Sequence, residues 1–180
     1  MITARTVANI LSISRVFLGF LFLLVSKSGI DYFFISIGIL IIAQITDHAD
    51  GFIARKFTTP TLNGYMLDSL GDKIFYIAVI IVFDSQGIYS MMLSWALICR
   101  EITLYIMRIC NIEKTKRVKT IHIYSRLHAL FIRLSFVFAM ICLYKIYVDY
   151  PSGICSILAN IFGWMAFLIG AFGLYRFMKL

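Results

Sequence analysis

Asp47 to Asp72 reads DHADGFIARKFTTPTLNGYMLDSLGD and holds four of the chain's nine acidic residues, Asp47, Asp50, Asp68 and Asp72, between long apolar runs. Carboxylates at membrane depth are costly, so a cluster of them marks a functional site. Asp47 and Asp50 are three residues apart and Asp68 and Asp72 four apart, so on helices each pair projects from one face, and two such faces can meet. The stretch predicts two apolar helices converging on one charged centre. Four carboxylates do not stay ionised together without cations. Hard divalent ions such as Mg²⁺ take oxygen ligands and share their coordination with substrate phosphates, whereas Asp-only ligation without Cys or His argues against zinc. A two-metal phosphoryl-transfer site is the natural reading: paired metals bridge a diphosphate, absorb charge on the leaving phosphate and leave one carboxylate to orient an attacking hydroxyl. No protein nucleophile is required.

Outward from that stretch, composition demands a membrane protein. Hydrophobic residues make up 61% of the 180, charged residues 14%, and the mean hydropathy is +0.91, far from the soluble balance. Runs near the roughly 20 residues that cross a bilayer centre on Val7 to Ser26, Tyr32 to Thr46, Met66 to Phe83, Ile88 to Ile109, Ala129 to Val148 and Ile154 to Tyr175. The second is short, but its helix can continue through Asp47 to Arg55 if the extension is buried or lines a wet cavity. The expected fold is all-α: a six-transmembrane-helix bundle, one domain over residues 1–180, with short loops and a polar cavity open to the cytoplasm. A cleavable signal peptide is not expected, because the first run contains Arg15 and lacks a small-residue cleavage site.

Basic residues set the expected orientation. Arg5, the Arg55 and Lys56 pair, the Lys114 to Arg126 cluster, and Arg176 with Lys179 alternate with connections holding Lys27, nothing basic, and Lys145. By the positive-inside rule both termini and the aspartates face the cytoplasm. The net charge of +8 needs no nucleic-acid partner, since juxtamembrane Lys and Arg attract anionic lipid heads and no RNA-binding motif accompanies them.

The fixed positions of the central stretch carry a resemblance. Asp47, Asp50, Gly51, Ala54, Arg55, Gly64, Asp68 and Asp72 match, at every spacing, the full signature of the CDP-alcohol phosphatidyltransferases. Thr61 sits where that family usually has Thr or Ser. Asn9 to Arg15, NILSISR, is similar to the pattern that opens the family's first helix, with Ala8 replacing a frequent Pro. The resemblance implies that Asp47, Asp50, Asp68 and Asp72 hold two Mg²⁺ or Mn²⁺ ions, and that Asp72 also takes the proton of the acceptor alcohol. The hydroxyl then attacks the β-phosphorus of CDP-diacylglycerol and CMP leaves. It further implies that Asn9, Gly51, Ala54, Arg55, Thr61 and Gly64 meet the CDP part. Gly51 and Ala54 are small where a helix face must admit a nucleotide, although close helix packing selects the same residues. Arg55 carries the fork suited to phosphate. The family setting also implies a homodimer in an inner bacterial membrane.

The resemblance implies a small polar or phosphorylated alcohol as acceptor. The string CREITLYIMR at Cys99 to Arg108, followed by RVKT at Arg117 to Thr120, is similar to the pattern of bacterial phosphatidylglycerophosphate synthases, which implies sn-glycerol 3-phosphate and makes Arg100, Arg108, Arg117 and Lys119 acceptor-binding candidates. Lys116 replaces the Gly usual before the basic motif, and LDSLGD is as close to the serine-using branch, so serine, inositol and inositol phosphate stay open. Arg100 with Glu101 reads equally as a buried ion pair fixing helix register, and Arg117 with Lys119 as a headgroup anchor.

Several residues have blander readings. Cys99, Cys110, Cys142 and Cys155 lack CxxC spacing and read as small buried apolar side chains. His48 reads as a neighbour of the site, while His122 and His128 are expected to face the membrane interface. Arg15 is expected to face the site, since exposure to hydrocarbon is expensive. Two other classes remain: a cation transporter or channel, against which stand the lack of an inverted repeat and the acids lying near one membrane face, and a noncatalytic scaffold, against which stands the complete set of aspartates.

Overall fold

The computed structural model describes residues 4–57, 62–110 and 119–179, with side chains at 10, 12–46, 69–107, 109–110 and 123–179. Among the described residues the regular structure is entirely helical: α1 (Ala4–Val25), a 3₁₀ turn (Ile30–Tyr32), α2 (Phe33–Phe57), α3 (Leu62–Ser85), α4 (Met91–Cys110), α5 (Lys119–Tyr147) and α6 (Gly153–Met178). The six apolar runs all fall on these helices. The short second run continues as one helix to Phe57, so Asp47 to Arg55 do lie on its extension.

Two segments, Ile123–Tyr147 and Gly153–Met178, are long and apolar enough to cross a membrane, and Ser12–Val25 and Ile30–Thr46 are shorter apolar helical stretches. The exposed surface is itself apolar. On α1 the residues Ile10, Ile13, Phe17, Phe20 and Leu24 recur at helical spacing and are all more than half exposed. On α6 the same holds for Ile154, Ile157 and Leu168. Such continuous apolar faces are foreign to a water-solvated monomer and suit a hydrocarbon surround.

The helices form two compact units, Met1–Val82 and Phe83–Leu180. In the first, α1 packs against α2 and α3. Ser26 Oγ donates to Ser36 Oγ at 3.2 Å, joining α1 to α2. Phe22 of α1 meets Phe75 of α3 with ring centroids 6.5 Å apart, one turn from where Gly19 lies under Ala78. At Gly71 the approach is tighter still: a methyl there would sit 2.5 Å from the Ser12 carbonyl oxygen, so a side chain at this position would drive α1 and α3 apart.

In the second unit α5 and α6 pack along their lengths and α4 lies on α6. The buried stripe of α6 is built from small residues, Ala159, Gly163, Ala166, Gly170 and Gly173. Without side chains there, Leu93, Arg100 and Tyr124 seat directly on the α6 backbone. Two helix ends in this unit, those of α3 and α5, close in the same way. Ile88 N–H donates to Phe83 O at 2.9 Å and Gly87 N–H to Asp84 O at 2.9 Å, the paired bonds of a Schellman cap, with Gly87 at φ 70°. Tyr150 N–H to Lys145 O and Asp149 N–H to Ile146 O repeat the pattern after α5, with Asp149 at φ 54° and Pro151 next. Ser90 then caps α4, its Oγ accepting from Leu93 N–H at 3.3 Å. Asn160 of α6 ties this turn down, accepting from Ser90 N–H at 3.0 Å and donating to Ile88 O at 2.7 Å.

Candidate active site

The two aspartate pairs lie on consecutive helices, Asp47 and Asp50 near the end of α2 and Asp68 and Asp72 in the first half of α3. Helical register puts each pair on one face of its helix. Gly51, Ala54 and Arg55 follow on α2, Gly64 opens α3, and Asn9 is in the first turns of α1. Thr61 and Arg117 lie outside the described residues, and so do the side chains of Asn9, Asp47, His48, Asp50, Arg55, Asp68, Arg108, Lys119 and His122.

Asp72 is the aspartate whose side chain is described, and it is held. Its Oδ1 is paired with Nη1 of Arg15 on α1, where Arg15 is 1% exposed and Asp72 27%. The contact follows from the backbone: Gly71 admits the Ser12 carbonyl, and one turn further along α1 Arg15 then lies beside Asp72. This is the anion that the buried cation of the first helix required. Ser69, between the two aspartates of α3, is 9% exposed, and its hydroxyl has no hydrogen-bond partner among the described residues.

Among the described residues no group of three His, Cys, Asp or Glu side chains converges on a metal-sized centre. The donor set on α2 and α3 nevertheless has the right chemistry for a hard divalent ion: two carboxylates per helix at one-face spacing, one of them already drawn to a cation. The cysteines are all free; Cys142 is buried as expected, but Cys99 and Cys110 are exposed on α4.

A second polar centre lies within α4, α5 and α6. Arg100 and Glu101, 6% and 5% exposed, form an ion pair, the register-fixing alternative read from the sequence. His128 joins them: its Nε2 lies 3.0 Å from Glu101 Oε1, and its Nδ1 donates to the Ala166 carbonyl at 2.8 Å, since a carbonyl can only accept. The expectation that His128 faces the interface is therefore corrected, for it is 8% exposed. The signal was present in its spacing from Ile132, Ser135, Phe136 and Ala139, all on the buried stripe of α5. Gly170 makes room for Arg100, as a methyl there would sit 2.5 Å from Nε.

The family model described as CDP-alcohol phosphatidyltransferase matches residues 5–172. A relative from Aquifex aeolicus (strain VF5), named CDP-diacylglycerol–glycerol-3-phosphate 3-phosphatidyltransferase, is 32% identical over 131 residues, 72% of each chain. No solved structure matches significantly. The match spans α1 to α6 and takes in every aspartate of the central stretch, so the chain belongs to the CDP-alcohol phosphatidyltransferase family and is an enzyme of that transferase class.

Proposed function

We propose that this enzyme transfers the phosphatidyl group of CDP-diacylglycerol to sn-glycerol 3-phosphate, giving phosphatidylglycerophosphate and CMP. The observation that carries the reading is the complete aspartate signature on α2 and α3, with Asp72 seated by Arg15; the acceptor is taken from the name of the Aquifex relative.

Asp47, Asp50, Asp68 and Asp72 hold two Mg²⁺ or Mn²⁺ ions, which when bound supply positive charge to the diphosphate and to the departing CMP. The chain's own residues do the rest. Arg55 grips phosphate, while Asn9, Gly51, Ala54, Thr61 and Gly64 receive the cytidine end of the donor. Asp72 accepts the proton from the acceptor hydroxyl, whose oxygen bonds to the β-phosphorus as the bond from that phosphorus to the CMP oxygen breaks. A carboxylate of ordinary basicity is a weak base, so orientation of donor and acceptor contributes much of the acceleration. Arg108, Arg117 and Lys119 attract the acceptor's phosphate. Arg100, buried against Glu101, supports α4 from within.

The six helices are read as six spans of one domain, with a polar cavity and both termini on the cytoplasmic side of an inner bacterial membrane, and the enzyme as a homodimer. The apolar faces of α1 and α6 and the alternation of basic connections support this reading. The test is CMP release by purified protein with CDP-diacylglycerol and Mg²⁺, offering glycerol 3-phosphate, serine, inositol and inositol phosphate separately. Release with glycerol 3-phosphate that stops on chelation is expected; release with another acceptor alone would reassign the branch.

A further inference from the structure

Arg15 presents a problem that the reaction itself does not answer. It is 1% exposed, paired with Asp72, and fixed where α1 is pressed to α3 at Gly71. A guanidinium so placed competes for a carboxylate that the proposed chemistry needs. We propose that Arg15 is the resident countercation of Asp72 and sets how tightly the aspartate site takes a divalent metal. The inference rests on the metal reading given above.

A cation taken by Asp72 must share that carboxylate with Arg15 and is repelled by it, and in a partly desolvated site such repulsion is far stronger than in water. One effect runs the other way: the ion pair fixes the Asp72 rotamer, and losing it leaves the carboxylate to be ordered by the metal. That loss concerns one short side chain on a helix. The charge effect acts between a guanidinium and a divalent ion and is the larger of the two. Arg15 therefore keeps the half-buried carboxylate paired when metal is absent and holds metal affinity down. The donor's diphosphate supplies negative charge that offsets this repulsion, so metal and nucleotide bind cooperatively, each raising the other's affinity by the same factor.

The experiment measures Mn²⁺ binding to the purified, metal-stripped full chain in detergent by the loss of the free-ion electron paramagnetic resonance signal, with and without CDP. Arg15→Gln is expected to bind Mn²⁺ at least about tenfold more tightly than the unmodified protein and to show a smaller enhancement by CDP. Arg15→Lys, which keeps the charge, is expected to stay within about threefold. Gly71→Ala gives an independent arm should Arg15→Gln fail to fold. Its methyl meets the Ser12 carbonyl oxygen at 2.5 Å and parts Arg15 from Asp72 while keeping both charges, so it too should tighten binding. Unchanged or weaker binding in the folded neutral variant, or in Gly71→Ala where that variant does not fold, with binding still lost in Asp47→Asn, would overturn the role of Arg15 and leave the metal reading intact. Binding that is absent from the unmodified protein, or indifferent to Asp47→Asn, would remove the metal reading and this inference with it.

Discussion

Replacing Glu101 by Gln tests how much of the second unit hangs on one carboxylate. Glu101 lies 5% exposed between Arg100 and His128, and through His128 it is linked to the α6 backbone at Ala166. Gln keeps the volume and one acceptor oxygen, so packing is preserved and the charge alone is removed. Breaking a buried ion pair from one side costs about 3–5 kcal/mol, because the surviving charge stays buried without compensation. The retained amide oxygen argues for the lower end, about 3 kcal/mol, or a roughly hundredfold change in the folded ratio. For a chain of this size that amounts to about 6–12 °C in the thermal midpoint. The assay is loss of the monodisperse peak in detergent after heating, with the heating time held the same for every variant because unfolding that ends in aggregation is irreversible. Arg100→Met combined with Glu101→Leu removes both charges and should recover most of the loss, leaving the deficit at His128. A Glu101→Gln midpoint within about 2 °C of the unmodified protein would rule out this role, since a carboxylate that can be neutralised at no cost is not compensating a buried guanidinium.

Other positions give smaller, signed effects. Ser135 Oγ donates to the Ala159 carbonyl at 2.6 Å and therefore accepts from the Tyr89 hydroxyl at 2.6 Å. Tyr89→Phe removes one donor and should cost about 1 kcal/mol, whereas Ser135→Ala strands both a hydroxyl and a carbonyl and should cost about 2 kcal/mol; the same thermal assay with equal losses would contradict this order. Asp149 holds φ 54° at the cap of α5 where Gly87 serves the cap of α3, so Asp149→Gly should raise stability by roughly 0.5–1 kcal/mol, and a lower midpoint would show that the aspartate side chain contributes there. Asp72→Asn should abolish CMP release while sparing much of the CDP-lipid binding; turnover that survives would remove Asp72 from the role of base.

The helices were legible because long apolar runs without turn signals leave few alternatives to a helix. The run ending at Thr46 was too short alone, yet the aspartates that follow keep helical spacing, and α2 does run on to Phe57. Short loops were expected, but their closure by Schellman caps at Gly87 and Asp149 is disclosed by the structure. What the sequence did not disclose is how polar residues divide between helices. His128 sits in a segment crowded with Lys and Arg, and local composition pointed it at the interface, while the 3.6-residue period of its apolar neighbours pointed it inward. The period won because α5 carries one continuous buried stripe, and the ring there lies within hydrogen-bond distance of a carbonyl and a carboxylate.

The site divides in the same way. The spacing of the aspartates depends on one helix at a time, so sequence carries it in full. The pairing of Arg15 with Asp72 depends on two helices and on a glycine that belongs to neither charge. Arg15 within an apolar run says that an anion must be near; Gly71 says only that a helix lacks a side chain at one position. Only the register of α1 against α3 joins the two statements, because the Ser12 carbonyl and the missing Cβ of Gly71 fix which turn of α1 faces Asp72. The missing side chain of Gly71 thus has a physical meaning in this chain. An Ala at this position requires α1 and α3 to stand further apart, and with them a cation and the carboxylate proposed as the base. A residue without a side chain is in this way coupled to the charge state of the site.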